Sequence, residues 1–282
     1  MLGTHASSGT VRALTPADHD AALAVCAQDP RSNVFVAARI LDGTLVSQPG
    51  ALLGVGDGPG IQALCWASAN VVPVECDAAA AAAFAAKLRP WRRRSCSLFG
   101  PATTVLPMWQ ELRVPWGKPR AIRERQPLLA LSSIDPGLPR DERVRPARRS
   151  EVDLVLPAAA AMFTEEIGYP PYVGSSAGYR NSVAGLVAKG HTFVRVDGDE
   201  VVFKADVGST ALGVAQIQGV WLAPRLRGRG LAAPAMASVV DQVRATIAPT
   251  VSLYVNDFNV TARRTYARVG FCAVGTFATI LL

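Results

Sequence analysis

The second half of the chain alternates short apolar runs with amphipathic stretches, in an order that predicts its elements. "VRP" opens a strand. Ser150 and Asp153 make a helix start ahead of apolar residues at 152, 155, 156, 159 and 163, a spacing of one helix face, and Pro157 bends that helix. A second helix fits "SSAGYRNSVAGLVAK". "HTFVRVD", "EVVFKADV" and "LGVAQIQGVWLA" then read as three strands, the first two joined by an Asp-Gly turn at Asp197 and Gly198. A helix from about Gly230 to Ile247, a strand "VSLYVN" and a helix from Val260 to Val269 follow, the last capped by Asn259 before it and Gly270 after it. "FCAVGTFATILL" closes the chain as strand, which makes the order βααβββαβαβ.

The first half gives nearly the same order. A strand at "VRALT" and helices over 16–28 and 33–41 precede the strands "ALLGVG", "IQALCWA" and "NVVPVE". A helix at "DAAAAAAFAAKL", a strand "SCSLFG", a helix over 101–113 and a strand "QPLLALS" follow. Between the halves, "SSIDPGLPRDERVRPARRS" (132–150) is rich in Pro, Ser and charge and lacks apolar periodicity over most of its length, as a linker does. The pattern predicts two similar mixed α/β domains, 1–135 and 143–282, without a residue-level repeat between them.

A formal charge of +7 suits an anionic ligand. Much of the excess sits at Arg92 to Arg94, at Arg140 to Arg149 and in the opening stretch, and no aromatic residues interleave there as a base-stacking surface requires. The first two clusters read equally well as solvated surface. The five cysteines, Cys26, Cys65, Cys76, Cys96 and Cys272, form no C-x-x-C pair and read as small core residues in a reducing compartment. "MLGTHASSGT" has no basic n-region or apolar h-region, and the longest apolar run, "AAAAAAFAA" at 78 to 86, is too short to span a bilayer. A cytoplasmic protein outside the membrane is expected. The histidines His5, His19 and His191 lie far apart with no Cys cluster beside them, so no metal site emerges.

Candidate chemistry concentrates at "PRLRGRGLA". Gly228 and Gly230 stand just before a helix, whose first backbone N–H groups lack intrahelical partners and whose dipole end is positive, while Pro234 disfavours an earlier start. This reads as a phosphate cradle. A P-loop needs Gly-Lys-Ser/Thr, and this loop has Gly-Leu. A dinucleotide fingerprint is satisfied by "GRGLAA" with Asp257 after the next strand, but "PRLR" separates its first glycine from the preceding strand and too little chain follows.

The loop resembles that of the GNAT acetyltransferase superfamily, Q/R-x-x-G-x-G/A, through Arg225, Gly228 and Gly230. "NVTARRTYARVGF" is similar to the family's second signature through Asn259, Ala262, Tyr266, Gly270 and Phe271, with Thr265 where a Leu is usual. The resemblance covers about 143 to 282, and the first half more loosely, since its corresponding loop "VECDAAAAAAF" has no glycine or arginine. It implies two GNAT-like domains, each a central mixed, mostly antiparallel sheet flanked by helices, the first without a cofactor site. It also implies direct transfer of an acetyl group from acetyl-CoA to a primary amine of a small molecule, protein or peptide. Val220, Trp221 and Leu222 would lie beside the pantetheine arm. Arg225, Arg227, Gly228, Arg229, Gly230, Leu231 and Asn259 would hold the rest of the cofactor, and Tyr266 would be the general acid.

Each assignment has a plain structural alternative. Tyr266 shares a helix face with Ala262 and Val269 and could be core, and loop arginines are often only solvated. Gln216 and Gln218 stand where many family members carry an acid, and neither takes a proton. Glu165 and Glu166 close a helix at its carboxylate-unfavourable end beside the aromatic, Pro-rich "GYPPY", which suits recognition of a cationic amine or a merely exposed helix end. His191 is a reserve base. A non-catalytic acyl-CoA sensor and a basic nucleic-acid-binding protein are the rival functions.

Overall fold

A computed structural model describes residues 9–56 and 60–282, so His5 lies outside the described residues. The chain divides into two compact units: residues up to Leu128 with Tyr254–Phe258 and Ala273–Leu282, and Leu129–Leu253 with Asn259–Cys272. Chain order begins with β1 (Arg12–Ala13), α1 (His19–Cys26), α2 (Pro30–Leu41), α3 (Thr44–Ser47), β2 (Leu52–Val55), β3 (Ala63–Ala67), β4 (Asn70–Val74) and α4 (Ala78–Leu88). β5 (Ser97–Pro101), α5 (Ala102–Trp116) and β6 (Ala121–Leu131) follow. The second half contains β7 (Arg145–Pro146), α6 (Val152–Ile167), α7 (Ala177–Ala188), β8 (Thr192–Asp197), β9 (Glu200–Ala211) and β10 (Val214–Leu222). It ends with α8 (Ala232–Thr246), β11 (Thr250–Tyr254), α9 (Val260–Val269) and β12 (Phe271–Leu281), the order read from the sequence.

In the first unit β2, β3 and β4 are antiparallel neighbours, and β4 runs parallel to β5 only through Asn70 opposite Ser97 and Val71 opposite Leu98. α4 and α5 bury Phe84, Leu88, Met108 and Leu112 against Cys65, Val71, Leu98 and Ile280, each large side chain contributing about 2 kcal/mol of hydrophobic stabilisation. β12 completes this sheet, antiparallel to β5 from Phe277 opposite Pro101 to Leu281 opposite Ser97. Buried hydrogen bonds fix it there: Thr279 Oγ1 donates to Gln126 Oε1 at 2.6 Å, and Gln126 Nε2 donates to Asn256 Oδ1 at 2.9 Å. The domain expected over 143–282 thus differs from the second compact unit at both Tyr254–Phe258 and β12. Periodicity names a strand but does not say which edge it meets.

In the second unit β7, β8, β9 and β10 are antiparallel and β10 is parallel to β11. α6 and α7 set Val155, Ala159, Val183 and Val187 against Val194, Val202 and Trp221. The stretch expected to be a linker is tied along α8. Asp141 N donates to Pro234 O at 3.3 Å, Ser238 Oγ donates to Asp141 O at 3.0 Å, and Arg140 Nε donates to Asp241 Oδ2 at 2.7 Å. Asp141 also accepts from the buried Arg195 at 3.0 Å. Backbone-to-helix contacts of this kind leave no apolar period to read. Two cysteines depart from the expected core placement, since Cys96 and Cys272 are exposed while Cys26, Cys65 and Cys76 are buried. No helix among the described residues is long and apolar enough to cross a membrane.

α6 runs through Pro157 to Ile167, and its start is anchored by Glu151, which accepts from Arg148 N at 2.8 Å and from both terminal nitrogens of Arg145. The Arg145 guanidinium holds the Glu151 carboxyl at about 2. Because the folded value is depressed, the pair stabilises the fold above about pH 4.3, the ordinary glutamate value, and that contribution is lost as pH falls through the folded value. Arg145→Met should move the Glu151 titration toward about pH 4 by NMR and cost about 1 kcal/mol at pH 7 in thermal melting, the arginine being partly exposed. The two proteins should converge in stability at strongly acid pH.

Candidate functional site

β10 and β11 pair through only three positions, Val214 opposite Thr250, Ala215 opposite Val251 and Gln216 opposite Ser252, and then part. Beyond that rung β10 continues to Leu222 with one edge against β9, interrupted by a bulge between Gln218 and Trp221. Gly219 takes φ +59°, the left-handed conformation of a glycine bulge, and a Cβ there would come within 3.0 Å of Met162 Cε. After the bulge Ala223 N donates to Val202 O at 2.8 Å, so the alternate amides, Val220 and Leu222, face the side from which β11 has withdrawn. The segment assigned to the pantetheine arm therefore carries outward backbone donors. At the apex, Gln216 Nε2 and Ser252 Oγ are buried and have no hydrogen-bond partner among the described residues. Buried polar atoms of this kind are uncommon and cost stability unless a ligand or water meets them.

The loop from β10 to α8 is open. Gly228 and Gly230 both take φ +74°, and a Cβ at either meets nothing within 4 Å. α8 starts at Ala232, two residues later than expected, after Leu231. This leaves the amides around 228 to 231 ahead of a helix of 15 residues. The arginines differ from one another. Arg225 pairs with Glu200 at 2.8 Å, whereas Arg227 donates to Leu222 O at 2.9 Å and to Glu165 Oε2 at 2.7 Å. Arg229 is exposed and makes no ion pair among the described residues.

Glu165 has both oxygens engaged, since Trp221 Nε1 donates to Oε1 at 3.1 Å. The end of α6, the strand and the loop are thus tied through one carboxylate. Glu166 is exposed and near enough to Tyr266 to raise its pKa; burial is the larger cause, and both keep the phenol protonated. Tyr266 is 7% exposed, its ring packs edge-on to Phe271, and its hydroxyl makes no hydrogen bond among the described residues. Asn259 caps α9, Oδ1 accepting from Ala262 N at 3.1 Å. His191 stands at the turn into β8, its backbone bonded to Leu186 and Val207.

A polar cluster the sequence reading missed lies under α6 and α7. Lys204 and Asp206 on β9 form a buried ion pair, Thr192 Oγ1 donates to Asp206 Oδ1 at 2.9 Å, and Tyr179, whose hydroxyl donates to Ala159 O at 2.9 Å, has its pKa pushed up to about 12 by burial and by Asp206. The signal was available. A lysine and an aspartate two apart share one face of a strand that is otherwise apolar over "VVFKADV". Among the described residues no group of His, Cys, Asp and Glu could hold a metal ion.

In the first unit, the position that corresponds to the loop is closed. Asp77 caps α4, its Oδ1 accepting from Ala80 N at 2.8 Å, so a carboxylate of the chain occupies the helix N-terminus where an anion would otherwise sit.

Residues 160–271 match the model of the Acetyltransferase (GNAT) family, and residues 50–155 match that of a domain of unknown function, DUF4081. No functionally curated protein matches the chain. Among solved structures it is similar to an acetyltransferase of the GNAT family from Colwellia psychrerythraea, 11% identical over 97% of this chain and 99% of that one with a TM-score of 0.55. It is also similar to a Drosophila protein, 15% identical over 98% and 99% with a TM-score of 0.66. A GCN5-related N-acetyltransferase from Sphaerobacter thermophilus is 16% identical over 96% and 95%, with a TM-score of 0.58. At these identities the likeness establishes the fold across nearly the whole chain.

The Glu165 brace should govern the order of the glycine loop. Glu165→Leu removes the acceptor of both Arg227 and Trp221, and amide hydrogen exchange at Arg227 to Leu231 is expected to quicken about fivefold, with core strands unchanged, since loss of a partly exposed pair lowers local opening energy by about 1 kcal/mol.

Proposed function

We propose that this chain, whose residues 160–271 are a domain of the GNAT acetyltransferase family, transfers an acetyl group from acetyl-CoA to a primary amine by direct attack in a ternary complex. The family's chemistry is acyl transfer from coenzyme A. The observation that carries the reading is the parting of β10 from β11 beside the outward amides of Val220 and Leu222, directly followed by a loop whose two glycines hold backbone N–H groups ahead of α8. In this reading the loop amides and Arg229 take the pyrophosphate, and the thioester lies along β10. Glu165 braces the loop through Arg227 and does not act as base, because both its oxygens are engaged.

Chemically, the neutral amine attacks the thioester carbonyl, a C–N bond forms and the C–S bond breaks. The proton lost by the amine passes to Glu166, and the departing thiolate takes one from Tyr266. The proton gained by Glu166 is released to solvent, from which the phenol is reprotonated. The raised tyrosine pKa keeps the group protonated throughout the neutral range, so it holds a proton when the thiolate departs. The first unit, with its helix N-terminus occupied by Asp77, is a GNAT-like domain without a cofactor site.

Gly228→Val should lower coenzyme A affinity in calorimetry by about tenfold or more, because the branched side chain fills open space ahead of the helix and strains a left-handed backbone by about 1–2 kcal/mol. Unchanged affinity with an intact melt would remove the cradle. Tyr266→Phe should leave stability unchanged, since no hydrogen bond is lost, while acetyl transfer to an acceptor found by screening amines falls about 10²-fold. A wild-type rate in the phenylalanine variant would show that Tyr266 is not the acid and that water or another side chain supplies the proton.

A further inference from the structure

Lys204 is 1% exposed and is one of the largest fully buried side chains of the protein. Its Nζ donates to Asp206 Oδ2 and to the carbonyl oxygen of Gly219, the latter at 3.1 Å. Removing two charges from water generally costs more than their attraction returns, and an apolar pair of the same shape serves a fold at least as well. The pair therefore invites an explanation outside stability, and its second partner supplies one. The Gly219 carbonyl and the Val220 N–H are the two ends of a single peptide group.

All described peptide bonds are trans, so the two ends point in opposite directions. Lys204 stands opposite Trp221 in the register with β9, and Ala223 donates back to Val202, which turns the amides of 221 and 223 toward β9 and that of Val220 toward the unpaired side. A cation on the carbonyl both orients this peptide and draws electron density toward its oxygen, which strengthens the N–H as a donor. Contact is close: a Cβ on Gly219 would lie 3.1 Å from Lys204 Nζ and 3.1 Å from Asp206 Oδ2, so a side chain there would crowd the ion pair against the peptide.

We propose that Lys204 is a positioning residue for acyl transfer: by gripping the Gly219 carbonyl it aims and polarises the Gly219–Val220 peptide, so that the Val220 N–H holds the thioester carbonyl of the acyl donor. Asp206 and Thr192 fix the ammonium in turn. Lys204 moves no proton in this role and touches no substrate. The inference rests on the acyl-transfer reading above and adds to it how the backbone donor is held.

The test is isotope-edited infrared spectroscopy of acetyl-CoA carrying ¹³C at the thioester carbonyl, bound to the full chain. The wild-type protein should shift the carbonyl stretch to lower frequency on binding. Lys204→Met combined with Asp206→Asn removes both charges together, and should lose about half of that shift or more, since charge-assisted hydrogen bonds are about twice as strong as neutral ones. Coenzyme A affinity by calorimetry should stay within about twofold, because the phosphates are held elsewhere. Lys204→Gln, a neutral donor, is expected to show the same loss and serves if the double variant does not fold, while Lys204→Arg should restore part of the shift. An identical shift in wild type and neutral variants overturns the role of Lys204, as does a wild-type carbonyl unshifted on binding. Failure of the acyl-transfer reading itself looks different: the wild-type protein then binds no acetyl-CoA, or binds it and acetylates no amine in the acceptor screen.

Discussion

A strand that leaves its neighbour exposes backbone groups that must find other partners, and the rest of the second unit is arranged around that fact. β10 abandons β11 after Gln216, and the bulge at Gly219 re-aims the donors that follow. The bulge requires a left-handed residue at a place where a methyl group would strike Met162, so one glycine fixes both the conformation and the closeness of α6. Glu165, at the end of that helix, then reaches Trp221 and Arg227 and holds the loop at the mouth of the gap. Strand, helix and loop are coupled through the same short stretch.

The first unit shows what the same arrangement does without a ligand-binding loop. β4 and β5 also run parallel for two positions and part, and a helix also follows β4. Yet the turn is "ECD", and Asp77 satisfies the helix N-terminus with its own carboxylate. A side-chain cap and a bound phosphate compete for the same orphan amides. The capping aspartate supports the start of α4 and engages an amide that an anion would otherwise meet.

Much of this was legible from residue pattern. The order of elements follows from apolar runs and from caps such as Asn259 and Gly270, because those signals are local. The glycine loop was legible for the same reason: alternating Gly and Arg ahead of a helix has few structural uses. Partners distant in sequence were not legible. Nothing local tells that β12 meets β5, that residues 140 to 144 lie along α8, or that Glu165 reaches Trp221, 56 positions away. Lys204 and Asp206 were overlooked because a strand of apolar residues was read for its period and not for its exceptions.

The loop's excess of positive charge is smaller in the folded chain than its sequence suggests. Arg225 is offset by Glu200 and Arg227 by Glu165, which leaves Arg229 as the loop arginine without an ion-pair partner among the described residues. Exposed arginines also act through a high-dielectric, salt-screened medium, where each contributes little to affinity. Fixed backbone N–H groups suffer neither loss: they are held in place by the fold, carry no side-chain entropy and are reinforced by the helix dipole. In the proposed reading, selectivity for a phosphorylated ligand would thus rest on the two left-handed glycines more than on the arginines between them, with Arg227 as a strut that ties the loop to Glu165 and Leu222 O.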